Sequence, residues 1–270
     1  MTTIEQKYKI GSRRFGKVNW IGLYTLYIKE VLRFFNVWIQ TILSPVVTFF
    51  LFLAVFSLAV GNGRADVLGH KFTIFLVPGL IIMQMMQNAF ANTSSSLMIS
   101  KMQGNIVDLL YPPLSAIEVT VAMLAGGITR GLIVGFASTA VCIMFIHVPI
   151  HNVFIIFVYG LLGSSLLASL GFLAGLWSEK FDNMAAVTNF IIVPLSFLSG
   201  TFYSIKNLNI YIETISSLNP FFYVIDGFRY GFLGASDGSL TVGLIVLIIA
   251  NIITWYSCYF LFNKGYKIKF

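Results

Sequence analysis

Charged side chains are scarce in this chain. They make up 10% of its 270 residues, against about a quarter in a soluble domain whose surface must be wetted. With a mean hydropathy of +0.87, the chain cannot fold as a water-covered globule. Cysteine is equally sparse. Cys142 and Cys258 each lie inside an apolar run, which argues against a disulfide framework or a cysteine metal site and for buried packing thiols. The three histidines, His70, His147 and His151, fall in loops or at the ends of apolar runs, and Pro149 keeps the last two off one helical face. No metal site is predicted. A nucleotide site is also missing: Gly11 to Lys17 has the spacing G-x-x-x-x-G-K, but Val18 stands where a Ser or Thr would hold magnesium, and the preceding residues are mostly polar. That segment reads as a basic tail, so no cofactor is expected in this chain. No cleavable leader is expected either, because the first apolar run starts near Val37, too late and too long for a secretory signal.

What the sequence does have is long apolar runs. They cover about 37–60, 73–98, 118–147, 152–177, 184–203 and 240–262, and each is long enough to cross a hydrocarbon core of about 30 Å as a helix. The predicted fold is therefore an all-α polytopic membrane protein with six transmembrane helices. Residues 1–36 form a cytoplasmic tail and connecting helix, and 37–270 a single transmembrane domain. Within the first part, Leu23, Tyr27, Val31 and Phe34 recur at helical spacing while Lys29, Glu30 and Arg33 fall on other faces, which predicts an amphipathic helix at the membrane interface. Pro45 and Pro78 lie near run ends, and Pro194 is mid-span, where a kink is expected.

The net charge of +7 reports orientation rather than nucleic acid. With the amino terminus inside, Lys7, Lys9, Arg13, Arg14, Lys17, Lys29, Arg33, Lys101, Lys180, Lys264, Lys267 and Lys269 are cytoplasmic, while Arg64, Lys71, Lys206 and Arg229 are outside. Twelve against four favours both termini in the cytoplasm. Glycines four apart, at Gly127, Gly131 and Gly135, at Gly171 and Gly175, and at Gly227 and Gly231, suit close helix packing within one bundle.

Arg130 is the cation left at depth, inside the third span. A central Arg costs about 2.5–3.5 kcal/mol on insertion scales, so it faces protein or water. Two readings stay open: a charge lining a conduit for polar or anionic cargo, and a structural Arg bonded to freed carbonyls. The carboxylates fall outside the uninterrupted apolar cores, which counts against an ion-coupled transporter. Between spans two and three, Ile106, Leu109 and Leu110 make one apolar side of a short helix that Pro112 and Pro113 end. It is either a plug for a partner's groove or a helix lying on lipid. After span five, Ser199 to Phe232 is too apolar for a free loop and too interrupted for a clean span, which predicts a re-entrant helical hairpin. Asp226 and Arg229 are placed to pair on one face of it.

Two segments carry a resemblance: NIVDLLYPPLS at 105–115 and FLSGTFYSIKNL…LNPFFYVIDGFRYGFLG at 197–234. With the six spans and the short helix, they resemble the permease subunit of ABC-2 type exporters. The 197–234 segment resembles the family's signature, with Gly200, Phe202, Tyr203, Asn219, Pro220 and Arg229 at matching positions. Arg130-Gly131 is similar to the third span of a bacterial inner-membrane branch that includes an enterobacterial permease of undefined substrate. Many relatives have Pro after the signature Tyr, where this chain has Ser204. The resemblance implies a homodimer in the bacterial inner membrane served by two copies of a separate cytoplasmic ATPase, which would hold the ATP and magnesium. Asn105, Ile106, Asp108, Leu109 and Leu110 would form the helix that couples to it. Cargo would move outward, with membrane lipid as surroundings and no nucleic-acid partner. An ion-coupled transporter, a channel, a membrane-embedded enzyme and a non-transporting scaffold are the rival readings.

Overall fold

The computed structural model describes residues 18–60, 66–205, 216 and 218–268. The basic tail with its G-x-x-x-x-G-K spacing, Arg64, Lys206, Glu213 and Lys269 lie outside the described residues, as does most of the first limb of the expected hairpin.

Helix α1 spans Trp20–Phe35. A wide π turn, Ile39–Leu43, leads into α2, Ser44–Val60. Then come α3, Phe72–Met102, the short α4, Ile106–Leu110, α5, Ala116–Phe145, and α6, Val153–Trp177. The fifth span is broken into α7, Phe181–Val187, another π turn, Thr188–Ile192, and α8, Val193–Leu198. Helix α9 is Pro220–Leu233 and α10 is Leu240–Asn263. Six of these segments are long and apolar enough to cross a membrane: Ile39–Leu58, Phe72–Met102, Ala116–Phe145, Val153–Trp177, Phe181–Leu198 and Leu240–Asn263. They coincide with the six apolar runs.

Helix α3 is the axis of the bundle. Of its most apolar window 83% is buried, against 17% for α10 and 11% for the α7–α8 span, so α3 has protein on every side while those two present most of their surface outward. Helices α5 and α6 flank it. The spaced glycines make this approach feasible. A Cβ on Gly131 would lie 2.9 Å from the Met85 carbonyl, and one on Gly171 would come closer still to the Phe90 carbonyl. Gly227 and Gly231 serve the α9–α6 contact, against Tyr159 and Ile156. This is packing within one bundle, as the spacing suggests. Cys142 and Cys258 are buried free thiols, and Lys101 closes the far end of α6 by donating to the carbonyls of Gly175, Leu176 and Ser178 at 3.2, 2.8 and 2.5 Å.

Both π turns sit two residues before a proline, Pro45 and Pro194. Proline lacks the N–H that would bond back one turn, and its ring collides with the carbonyl four residues earlier. Widening the preceding turn relieves both. The expected kink at Pro194 thus takes the form of a widened turn, and Pro45 has the same device.

On helix α1, Lys29 is exposed while Glu30 and Arg33 turn toward the bundle. Glu30 is 1% exposed. It accepts from Ser96 Oγ at 2.8 Å and pairs with Arg33 at 3.3 Å, while Arg33 donates to the Asn92 carbonyl at 2.7 Å and to its side-chain oxygen at 3.0 Å. The outward face instead carries Trp20, Ile21, Tyr24, Leu32 and Phe35.

Candidate functional site

Three places gather the residues singled out in the sequence. The first is a chamber of about 540 Å³ between the two widened turns. Gln40, Thr41 and Ser44 line it from the first span, Thr188 and Ile192 from the fifth, and Gln87, Ser94 and Ser95 from α3. Arg33 and Arg130 both reach it. Arg130 Nη2 donates to the side-chain oxygen of Asn88 at 2.9 Å, so its partner is an amide side chain and not a freed carbonyl. Arg130 therefore lies in the chamber wall, held by a side chain of α3. Wide turns are over-represented at functional sites, and two of them open here on one space.

The next place is α4. Its N-terminal flank, Gly104, takes φ +74°, and the prolines at 112 and 113 end it. Ile106 and Leu109 do not form an outward plug. They are buried with Leu26, Leu97, Val119 and Met123 in a cluster shared by α1, α3 and α5. The exposed side carries Asn105, Val107, Asp108, Leu110 and Tyr111, so the surface open to a partner is Val107, Leu110 and Tyr111 rather than Ile106 and Leu109. A helix this small has two sides, and Ile106 and Leu109 are on the one that meets the bundle.

Immediately after it, Ser115 and Glu118 form a capping box on α5. Glu118 accepts from the Ser115 N–H at 2.6 Å and also from the Asn19 N–H at 2.6 Å. Asn19 in turn caps α1 by accepting from the Gly22 N–H at 3.0 Å, and its side-chain NH₂ donates to the Pro113 carbonyl at 3.2 Å. One carboxylate therefore ties together the start of α1, the end of the α4 segment and the start of α5. The S-x-x-E pattern after two prolines was the signal for this joint, and its reach to Asn19 was not readable from spacing.

The third place is the knot formed by the 197–234 segment. Gly200 takes φ +79°, which a side chain would resist. Its carbonyl accepts from Arg229 Nη2 at 2.7 Å, and the Arg229 guanidinium lies 3.9 Å over the Phe75 ring. Asn219 caps α9 by accepting from the Phe221 N–H at 3.1 Å and donates to Ser199 Oγ at 2.7 Å. Pro220 opens the helix, where no N–H is needed. Phe202 stacks on Phe197, and Tyr203 donates to the Leu198 carbonyl at 3.0 Å. Asp226 and Arg229 do not pair with each other. The Asp226 carboxylate accepts from the N–H groups of Asp237 and Gly238 at 2.7 and 2.9 Å, fixing the turn into α10. Ser204 donates to Asp237 at 2.6 Å. These contacts hold the end of span five, α9 and α3 together.

No group of three or more His, Cys, Asp or Glu that would hold a metal occurs among the described residues. Six helices are of membrane-spanning length, and the ABC-2 type transporter family model matches residues 22–233. The chain belongs to the ABC-2 type transporter family. This permease is 35% identical to the inner membrane transport permease YadH of Escherichia coli K12 over 250 residues, 93% of this chain and 98% of that protein. It is 25% identical to nodulation protein J of Rhizobium leguminosarum bv. viciae over 197 residues, 72% of this chain and 74% of that one. The matched span of the family model takes in α4, Arg130 and the knot alike.

Proposed function

We propose that this permease is the membrane subunit of an ATP-driven exporter in the bacterial inner membrane. Two copies pair, both termini face the cytoplasm, and two separate ATPase subunits carry the ATP and magnesium. The observation that carries this reading is the two-sided α4. Its inner residues, Ile106 and Leu109, are buried in one cluster with residues of α1, α3 and α5, while Val107, Leu110 and Tyr111 face outward. A partner pressing on that outer side moves α4, the Glu118 joint, α1 and α5 as one block. Because α5 carries Arg130, the block ends in the wall of the chamber. A partner's nucleotide state biases the permease only through contacts that differ between its two states, and this block is where they are made.

Two further features support the layout. The outward face of α1 combines Trp20, Tyr24 and Leu32 with Lys29, the mixture suited to a helix lying at the membrane interface. Helix α9 has 14 residues, about 21 Å at 1.5 Å per residue, too short for a core of about 30 Å. It runs against α6 in antiparallel register, with Gly231 at Ile156, Gly227 at Tyr159 and Val224 at Gly163. Its start is therefore the deeper end, as the rising limb of a re-entrant hairpin requires.

Co-expression with a candidate ATPase tests the reading. The pair is expected to co-purify and hydrolyse ATP, and Leu110→Glu with Tyr111→Ala is expected to lower the hydrolysis coupled to the permease at least about tenfold, the loss of a small hot spot. Inverted vesicles then read direction by ATP-dependent uptake of cargo. A permease that transports with no ATPase bound removes the proposal.

A further inference from the structure

The chamber holds a charge without a counter-ion. Two cations, Arg33 and Arg130, are among its lining residues, and no Asp or Glu is. Arg33 is already balanced, by Glu30 at 3.3 Å, and its donors are committed to Glu30, Asn92 and Ser95. Arg130 is not. Its one hydrogen bond among the described residues goes to the neutral side chain of Asn88 at 2.9 Å, and its Nε is buried with no partner there. A half-buried guanidinium inside a membrane-length helix is retained where an anion or a polar path meets it. Its planar fork matches the oxygens of a phosphate better than any point charge does.

The rest of the lining narrows the ligand. Hydroxyls and amides of the two widened turns and of α3 offer further donors, while Phe90, Ile99 and Ile192 supply an apolar side. About 540 Å³ accommodates a headgroup and not a whole lipid. We propose that Arg130 binds the phosphate ester of an anionic amphiphile whose apolar part lies against Phe90, Ile99 and Ile192. This rests on the exporter reading above, in which the moving block ends in the chamber wall, and it gives that exporter a substrate class. The phosphate belongs to a membrane-lipid headgroup, to lipid-linked cargo or to free phosphate, and the test separates bound lipid from free anion.

The full-length permease is placed in bilayer discs of equimolar phosphatidylglycerol and phosphatidylcholine, extracted gently, and its retained lipid counted by mass spectrometry. Phosphatidylglycerol is expected to be retained in about tenfold preference, the order for one charge-assisted bidentate contact. Arg130→Gln is expected to reduce that to within about twofold, and Arg130→Lys to keep an intermediate preference because it retains the charge without the fork. Thr188→Trp fills the chamber while leaving Arg130 in place, and is expected to lose the preference too. Lys264→Gln, an exposed cation elsewhere, keeps it. Inorganic phosphate that displaces the lipid assigns the site to the free anion, and retention undisturbed by phosphate assigns it to the intact amphiphile. A preference unchanged in both Arg130→Gln and Thr188→Trp, or absent from the wild type with no thermal shift in phosphate, overturns the proposal. Lipid retention needs no ATPase, so failure here is distinguishable from failure of the exporter reading, which the co-purification decides.

Discussion

Glu30 shows how a single carboxylate changes the meaning of a helix. At 1% exposure, beside Ser96 and Arg33, it is the tie between α1 and α3. Glu30→Ala strips Arg33 of its counter-ion and leaves Ser96 without its acceptor, a loss of about 1–3 kcal/mol. A lower Tm in detergent, largely restored in Glu30→Gln, checks this. Glu179 and Lys267 are the opposite case, exposed residues beyond the spans that meet at 2.8 Å. The hydrogen bond from Lys267 holds the Glu179 carboxyl below its ordinary 4.5, and the same bond lifts Lys267 above 10.5. The carboxylate's contribution is present above pH 4.5 and disappears as pH falls through its lowered value. The ammonium's contribution is present below 10.5 and disappears as pH rises through its raised value. Glu179→Gln is therefore expected to remove a small acid-sensitive component of thermal stability and to leave the neutral range flat. The spacing of Gly127, Gly131 and Gly171 was legible because small residues one turn apart have one common use in lipid. The burial of Glu30 was not, since a charge on an amphipathic helix reads as solvated until a neighbour covers it.

At the scale of elements, α4 illustrates what periodicity leaves open. The sequence places the helix and its two-proline stop, but a helix of five residues has no long apolar stripe, and which side meets the bundle depends on how the neighbouring helices are joined. One such joint, between Asn19 and Glu118, links residues 99 apart in the chain. The two sides respond differently to the same change. Ile106→Glu puts a carboxylate into the cluster with Leu26, Leu97 and Met123, a cost of several kcal/mol, and reduced yield of folded permease is expected. Leu110→Glu faces outward, and normal yield with lost stimulation of the ATPase is expected. Size-exclusion profiles and hydrolysis rates measured on both variants separate the two. Equal yield and equal activity for the pair contradict the assignment of sides. The widened turns were half legible. Pro45 and Pro194 mark where the hydrogen-bond ladder must change, but a kink and a π turn are alternative remedies, and only the packing around the chamber selects between them.

For the whole molecule, α3 is enclosed while the α7–α8 span and α10 remain mostly outside the bundle, so one copy leaves these spans, above all, to be covered by lipid or by another copy. The number and order of spans follow from apolar run length alone, which is why the helix starts at Phe72, Val153 and Leu240 lie so near the starts of the apolar runs, within the ordinary scatter of helix ends. The side on which each loop lies rests on the distribution of lysine and arginine, much of it in the tail, and is open to a direct check. Cys142 and Cys258 are 1% and 0% exposed, so the native chain is nearly silent to a membrane-impermeant thiol reagent. Asp66→Cys and His147→Cys place a thiol in the loops after spans one and three, and Tyr111→Cys and Lys180→Cys in the loops after spans two and four; all four positions are exposed. In intact cells stripped of their outer membrane, the first pair is expected to label and the other only after permeabilisation. The reverse pattern keeps six spans and inverts the termini. Labelling of Asp66→Cys and Tyr111→Cys from the same side denies that α3 crosses the membrane, and with it the chamber's position between the two faces.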